Sequence, residues 1–160
     1  MPQDEQLPPP LTGTTRVTVR FKESDSLGIV WHGHYVSYLE DARQALGARV
    51  GLGYLEMMHE GFAAPIVDLS IKYLQSARYG DKIDVFTSIV YPLVPKIVAT
   101  FELRRAGTGE LLATASTTQV LTSPAGELVL NFPEFMEKIR ERWRNGEFAD
   151  EGSTRASPWG

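Results

Sequence analysis

Cysteine is absent from this 160-residue chain. Its absence removes a disulfide framework, a thiolate nucleophile and any Cys-based metal site, and leaves a reducing compartment open to the protein. Long apolar runs are missing too. No stretch approaches the roughly 18 consecutive apolar residues of a membrane span, and the Asp- and Pro-containing N-terminus lacks the basic-then-apolar order of a signal peptide. The chain reads as a soluble, cytoplasmic protein. Positive charge is in short supply as well: 16 Lys and Arg stand against 20 Asp and Glu, for a net charge of -4. A general nucleic-acid binder shows a basic face or stripe, so no nucleic-acid partner is expected.

What the chain does have is a single-domain length with 42% hydrophobic residues, enough to close one core. Residues 1–14 (MPQDEQLPPPLTGT) are rich in Pro and polar side chains, and read as a disordered tail with too little apolar surface to offset the entropy of ordering it. The domain is expected over 15–146. Thr15 to Phe21 sets Val17, Val19 and Phe21 against Arg16, Thr18 and Arg20, the period of a strand with one buried face. From Tyr35 the period lengthens. Tyr35, Tyr38, Leu39, Ala42, Ala45, Leu46 and Val50 recur at three- and four-residue steps over about four turns, predicting a helix that Gly51 and Gly53 stop. Its many small residues call for close packing over much of its circumference, which a concave sheet would supply. Strands are predicted over 64–74, 82–91, 96–105 and 110–123, the last three joined by short turns into an antiparallel meander. Phe132, Phe135, Met136, Ile139 and Trp143 then form the stripe of a short helix that Asn145-Gly146 ends. Residues 147–160 return to the composition of a disordered tail, and trimming either tail is expected to leave stability and turnover unchanged. The layout is α+β.

The chain is organised around Phe21 to Arg43 (FKESDSLGIVWHGHYVSYLEDAR). An acidic turn leads through Gly28 into Ile29-Val30-Trp31, then through His32-Gly33-His34 into the long helix. Free amides at a helix start carry partial positive charge and can hold an anion or a polarised carbonyl oxygen. Asp25 is the nearest group able to act on what they hold. Taken alone, an acid in a Ser/Gly-containing loop is more often a turn former or helix cap. His32 and His34 share a face when extended, but two His with a distant carboxylate are an incomplete ligand set, so no metal and no cofactor are expected. Glu40 has two readings, a group facing the substrate or an intrahelical partner of Arg43. Gly28 serves the loop conformation.

The segment Phe21-x-x-x-Asp25-x-x-Gly28-x-Val30-Trp31-His32-x-x-Tyr35 resembles the signature of the 4-hydroxybenzoyl-CoA thioesterase family, including the Tol-Pal-associated acyl-CoA thioesterases. The likeness continues through Glu40-Asp41-Ala42-Arg43, Ile66-Val67 and Tyr73-Leu74-x-x-Ala77-Arg78-x-x-Asp81. It implies the hotdog fold, an antiparallel five-stranded sheet wrapped around a central helix, with subunits pairing as a homodimer or homotetramer. It implies an acyl-CoA substrate, Asp25 as nucleophile or general base, and the amide of His32 as carbonyl polariser. Gly28, Val30, Trp31, Tyr35 and Glu40 are then expected on the substrate side.

The chemistry agrees, because thioester hydrolysis needs a group to deliver or become the nucleophile and donors for the developing oxyanion. Two other readings keep the fold: a non-catalytic acyl-CoA or acyl-carrier-protein binding domain, against which Asp25 speaks, and a hydratase or dehydratase using a His with an acid placed differently. Lys72, Arg78, Lys96, Arg104 and Arg105 are the basic residues that could meet CoA phosphates.

Overall fold

The computed structural model describes residues 6–149 and the backbone of 154–156. Strands β1 (Leu11–Thr18), β2 (Ile66–Tyr73), β3 (Lys82–Ile89), β4 (Lys96–Arg105) and β5 (Leu111–Val120) form one antiparallel sheet in the order β2-β5-β4-β3-β1, and a short strand β6 (Thr154–Ala156) runs parallel to β1 at its edge. The predicted meander β3-β4-β5 is present, with Val85 opposite Leu103 and Phe101 opposite Ala115. The long helix α1 (Tyr35–Val50) lies against β1 and β3. It buries Tyr35, Tyr38, Leu39, Ala42, Leu46 and Val50 against Val17, Ile83, Val85, Ile89 and Phe101, and ends at Gly51, whose amide bonds back to Gly47 O. This sheet around a helix is the hotdog arrangement.

Four features depart from the sequence reading. First, β1 begins at Leu11, not Thr15, pairing with Ile89 and burying its side chain. Residues 11–14 are therefore strand. Second, a short helix α2 (Tyr54–His59) follows α1, too brief to show a period of its own. Third, Phe21 is 77% exposed, because the chain leaves the strand after Thr18 and turns through a 3₁₀ segment at Phe21–Glu23, which rotates Phe21 outward and Glu23 inward. Fourth, helix α3 (Glu134–Arg144) holds residues on both flanks of the expected domain: Trp143 Nε1 donates to Pro9 O at 2.8 Å, and Phe148 is buried beneath the Arg142 guanidinium. Composition misses this because Pro8–Pro10 present backbone acceptors, not apolar side chains. Residues 1–5, 150–153 and 157–160, the rest of the expected tails, lie outside the described residues.

The position of α1 over the β1 end leaves the other end of the sheet open. On β2, Leu69, Ile71 and Tyr73 pair with Thr117, Ala115 and Ala113 and so face the helix side, yet Leu69 is 41% and Tyr73 47% exposed. The opposite face carries Asp68, Ser70 and Lys72 beside Thr118, Ser116 and Thr114, a polar surface suited to water.

Candidate active site

Residues 23–31 form a tight hairpin that hangs beside the start of α1. Its rungs are Trp31 N to Glu23 O at 2.9 Å, a bridge between Ser24 and Val30, and Asp25 N to Ile29 O at 2.8 Å. Gly28 closes the tip with φ of 78°, a left-handed conformation that L side chains resist, which is the loop role expected of it. The returning leg is fixed to the body of the protein by Val30 N to Ala77 O at 2.8 Å, and Tyr35 repeats the tie by accepting Ala77 N at 3.2 Å. Val30 and Tyr35 are buried in the hydrophobic core, where they anchor the hairpin and the start of α1.

Asp25 sits near the hairpin tip, partly exposed. Its Oδ1 accepts the amide of Leu27 at 2.8 Å, the turn-forming bond that its loop setting suggests. Oδ2 makes no hydrogen bond among the described residues, so turn formation leaves one carboxylate oxygen available. The other leg leads into a 3₁₀ turn at His32–His34 and then into α1. Within it His34 N bonds to Trp31 O, while the amides of His32 and Gly33 donate to nothing among the described residues. One hairpin thus presents a free carboxylate oxygen on one leg and two free amides just beyond the other.

Gly33 carries a second constraint that residue spacing does not reveal. The Trp31 indole lies directly on it, and a Cβ at Gly33 would stand 2.2 Å from Trp31 Cζ3. Trp31 also meets the rings of His32 and His34 at 5.0 and 5.4 Å, and the Tyr73 hydroxyl donates to His32 O at 2.7 Å. Tyr73 fixes the peptide plane whose other side presents the Gly33 amide. Only the role of Tyr73 in the motif hinted at this contact. Burial pushes the Tyr73 hydroxyl above its ordinary pKa, which keeps it a donor at neutral pH.

Glu40 pairs with Arg43, as its intrahelical reading has it, and also faces a cavity. Its Oε2 accepts Arg43 Nη2 at 2.7 Å, and both residues line a cavity of about 250 Å³ between α1, α2 and the sheet. Leu52, Met57, Phe62, Ile89 and Ile97 supply apolar walls there, and Gln119 closes one side by donating Nε2 to Ala64 O at 2.8 Å. Of the basic residues considered for phosphate, Arg104 and Arg105 are engaged within the chain, Arg105 with Asp81, Glu110 and Ser76 O. Arg78 has no side-chain hydrogen bond or ion pair among the described residues and flanks the hairpin, its Nη1 4.0 Å from where a Cβ on Gly28 would lie. The motif residue Asp81 is structural: it accepts the Arg78 amide and pairs with Arg105.

A hotdog sheet, with a carboxylate and open amides gathered at the start of its central helix, defines a thioesterase-like domain. Residues 19–141 match the model of the thioesterase-like superfamily, and the chain belongs to that family. It is 37% identical over 73 residues to YneP of Bacillus subtilis, named as a putative acyl-CoA thioesterase. That match covers 46% of this chain and about half, 53%, of the relative's length. Among solved structures, a DHNA-CoA thioesterase from Staphylococcus aureus superposes with a TM-score of 0.71 at 26% identity, covering 84% of this chain and 95% of that one. Slr0204 of Synechocystis, a 1,4-dihydroxy-2-naphthoyl-CoA thioesterase, also gives 0.71, covering 81% and 95%, and at 23% identity it speaks for the fold. Among the described residues no helix is long and apolar enough to cross a membrane.

Proposed function

We propose that this protein hydrolyses acyl-CoA thioesters with Asp25 as the carboxylate catalyst. The observation that carries the reading is that Asp25 Oδ2 on the hairpin, and the amides of His32 and Gly33 just beyond its returning leg, are left without hydrogen-bond partners among the described residues. The thioester carbonyl oxygen accepts from those amides. Asp25 either attacks the carbonyl carbon or draws a proton from an attacking water, and negative charge builds on the oxygen the amides hold. Collapse breaks the C–S bond, and the CoA thiolate leaves and takes up a proton; where Asp25 is the nucleophile, water then hydrolyses the acyl–Asp25 anhydride, releasing the acid and restoring the carboxylate. Trp31 borders this space, and Arg78 is the cation suited to a CoA phosphate.

The cavity behind Glu40 and Arg43 takes the acyl group. Its wall includes Ile66, at the far end of β2 from Tyr73, and Glu40, which lies seven residues beyond Gly33 and so about 10 Å along the helix at roughly 1.5 Å per residue. Pairing two β2 strands antiparallel across a two-fold axis brings one subunit's cavity beside its partner's hairpin and covers the exposed face of Leu69 and Tyr73. The active unit is therefore a homodimer, or a tetramer built from it, working in the cytoplasm. The finer placement beside the 4-hydroxybenzoyl-CoA and Tol-Pal-associated enzymes rests on the motif from Phe21 to Tyr35.

A panel of acyl-CoAs with free-thiol detection and a search for hydrated product tests the reaction. Asp25→Asn keeps shape and loses the charge, so turnover should fall by roughly 10²–10⁴-fold while substrate still binds. Near-normal turnover in the folded variant would remove Asp25 from the chemistry.

A further inference from the structure

We infer that Glu23 is the positioning residue of this site, holding the Asp25 hairpin in register with the central helix through Tyr38. The inference rests on the role given to Asp25 above. Glutamate is seldom fully buried unless paired, because its charge loses hydration. Glu23 is only 9% exposed and forms no ion pair with a lysine or arginine among the described residues. Its Oε1 instead accepts the Arg20 amide at 2.7 Å and the Tyr38 hydroxyl at 3.1 Å, and its backbone oxygen accepts the Trp31 amide at 2.9 Å.

One residue thereby links the end of β1, the first full turn of α1 and the leg that supplies the open amides. Asp25 lacks such anchors. Its neighbours Ser26, Leu27 and Gly28 are all exposed, so its placement is inherited from the legs of the hairpin. The returning leg is held at Ala77 and the outgoing leg at Glu23. Tyr38 is suited to the task, because burial first and the nearby Glu23 charge second push its hydroxyl pKa upward, keeping the proton that Glu23 accepts.

The test uses Glu23→Gln, Glu23→Leu and Tyr38→Phe, each made alone and with Asp25→Asn, with kcat and KM measured on the acyl-CoA that the wild type turns over fastest. Glutamine keeps an acceptor for both bonds and should retain kcat within about 3-fold. Leucine loses them, and kcat should fall roughly 10–100-fold while KM moves less than about 3-fold. In the Asp25→Asn background Glu23→Leu should cost less than about 2-fold more, because the group it positions is already gone. Should Glu23→Leu fail to fold, Tyr38→Phe removes only the hydroxyl donor and is read by the same criteria.

Undiminished kcat in the folded leucine and phenylalanine variants overturns the inference. So does a multiplicative loss in the double variants, or a loss in Glu23→Gln as deep as in Glu23→Leu. Failure of the catalytic reading looks different: Asp25→Asn itself would then keep its turnover.

Discussion

Gly33→Ala puts the geometry of the helix start under direct strain. The added methyl would stand 2.2, 2.4 and 2.7 Å from Cζ3, Cη2 and Cε3 of Trp31, where carbon atoms rest at about 3.5–4.0 Å. The indole must therefore move by more than about 1 Å. The backbone is no obstacle, since Gly33 is not among the residues with positive φ, and Trp31 is already 50% exposed, so the ring can swing into water cheaply. Stability should stay within about 1 kcal/mol of wild type, helped by the better helix propensity of alanine. Activity should not. The ring that borders the open amides of His32 and Gly33 is displaced, and a misplacement of about 1 Å at a reacting centre costs up to roughly 10²-fold. We expect kcat/KM to fall about 10–100-fold, with a changed tryptophan emission. In the background of Trp31→Ala the clash is gone, so adding Gly33→Ala should cost little further. Unchanged kcat/KM in Gly33→Ala, or losses that multiply in the double variant, would refute the steric account.

Replacing Leu69 by Asp places a charge on the uncovered face of β2 and should convert the assembly to monomer with loss of turnover. Light scattering showing a fully active monomer would defeat the shared-cavity proposal. Deleting residues 1–11 removes the buried Leu11 side chain, about 1.5–3 kcal/mol, and the Pro9 acceptor of Trp143, so Tm should fall by roughly 5–10 °C. An unchanged melting curve would show that the chain end contributes no packing.

The sheet and the central helix were legible because their periods are clean over eight residues or more. Tyr35 to Val50 could bury one face only as a helix, and the β3-β4-β5 turns left one antiparallel solution. The failures have local causes. Val17 and Val19 continue the strand period to Phe21, but a three-residue turn inverts it there, so Phe21 is exposed and Glu23 is buried. The pattern predicted a strand over 64–74 and could not say that α1 stops short of covering the Leu69, Ile71 and Tyr73 face of β2, because helix placement across a sheet depends on contacts between distant segments. At the site, the motif singled out Asp25, His32 and Glu40 as candidates. It could not distinguish a committed carboxylate oxygen from a free one, nor foresee that Trp31 folds over Gly33.

The buried tyrosines also make stability sensitive to alkali, in a direction that can be derived. Tyr38 and Tyr35 are almost wholly buried, and burial is the leading cause that raises the pKa of each, with the Glu23 charge adding to it at Tyr38. In the unfolded chain both ionise near the ordinary value of about 10. Above that pH the unfolded state has released protons that the folded state retains, so it binds fewer protons, and the free energy of unfolding must fall as pH rises. Stability from this source is complete below about pH 10 and is lost progressively up to the raised folded pKa. Each tyrosine contributes a slope of about 1.4 kcal/mol per pH unit in that window. Urea unfolding at about pH 9, 10 and 11 should therefore show wild type losing stability faster than Tyr38→Phe, by close to one tyrosine's slope. The variant starts lower, because Glu23 loses a donor, and the two curves converge as pH rises. Parallel curves would mean that Tyr38 ionises in the folded protein as readily as in water, which its burial beside a carboxylate forbids.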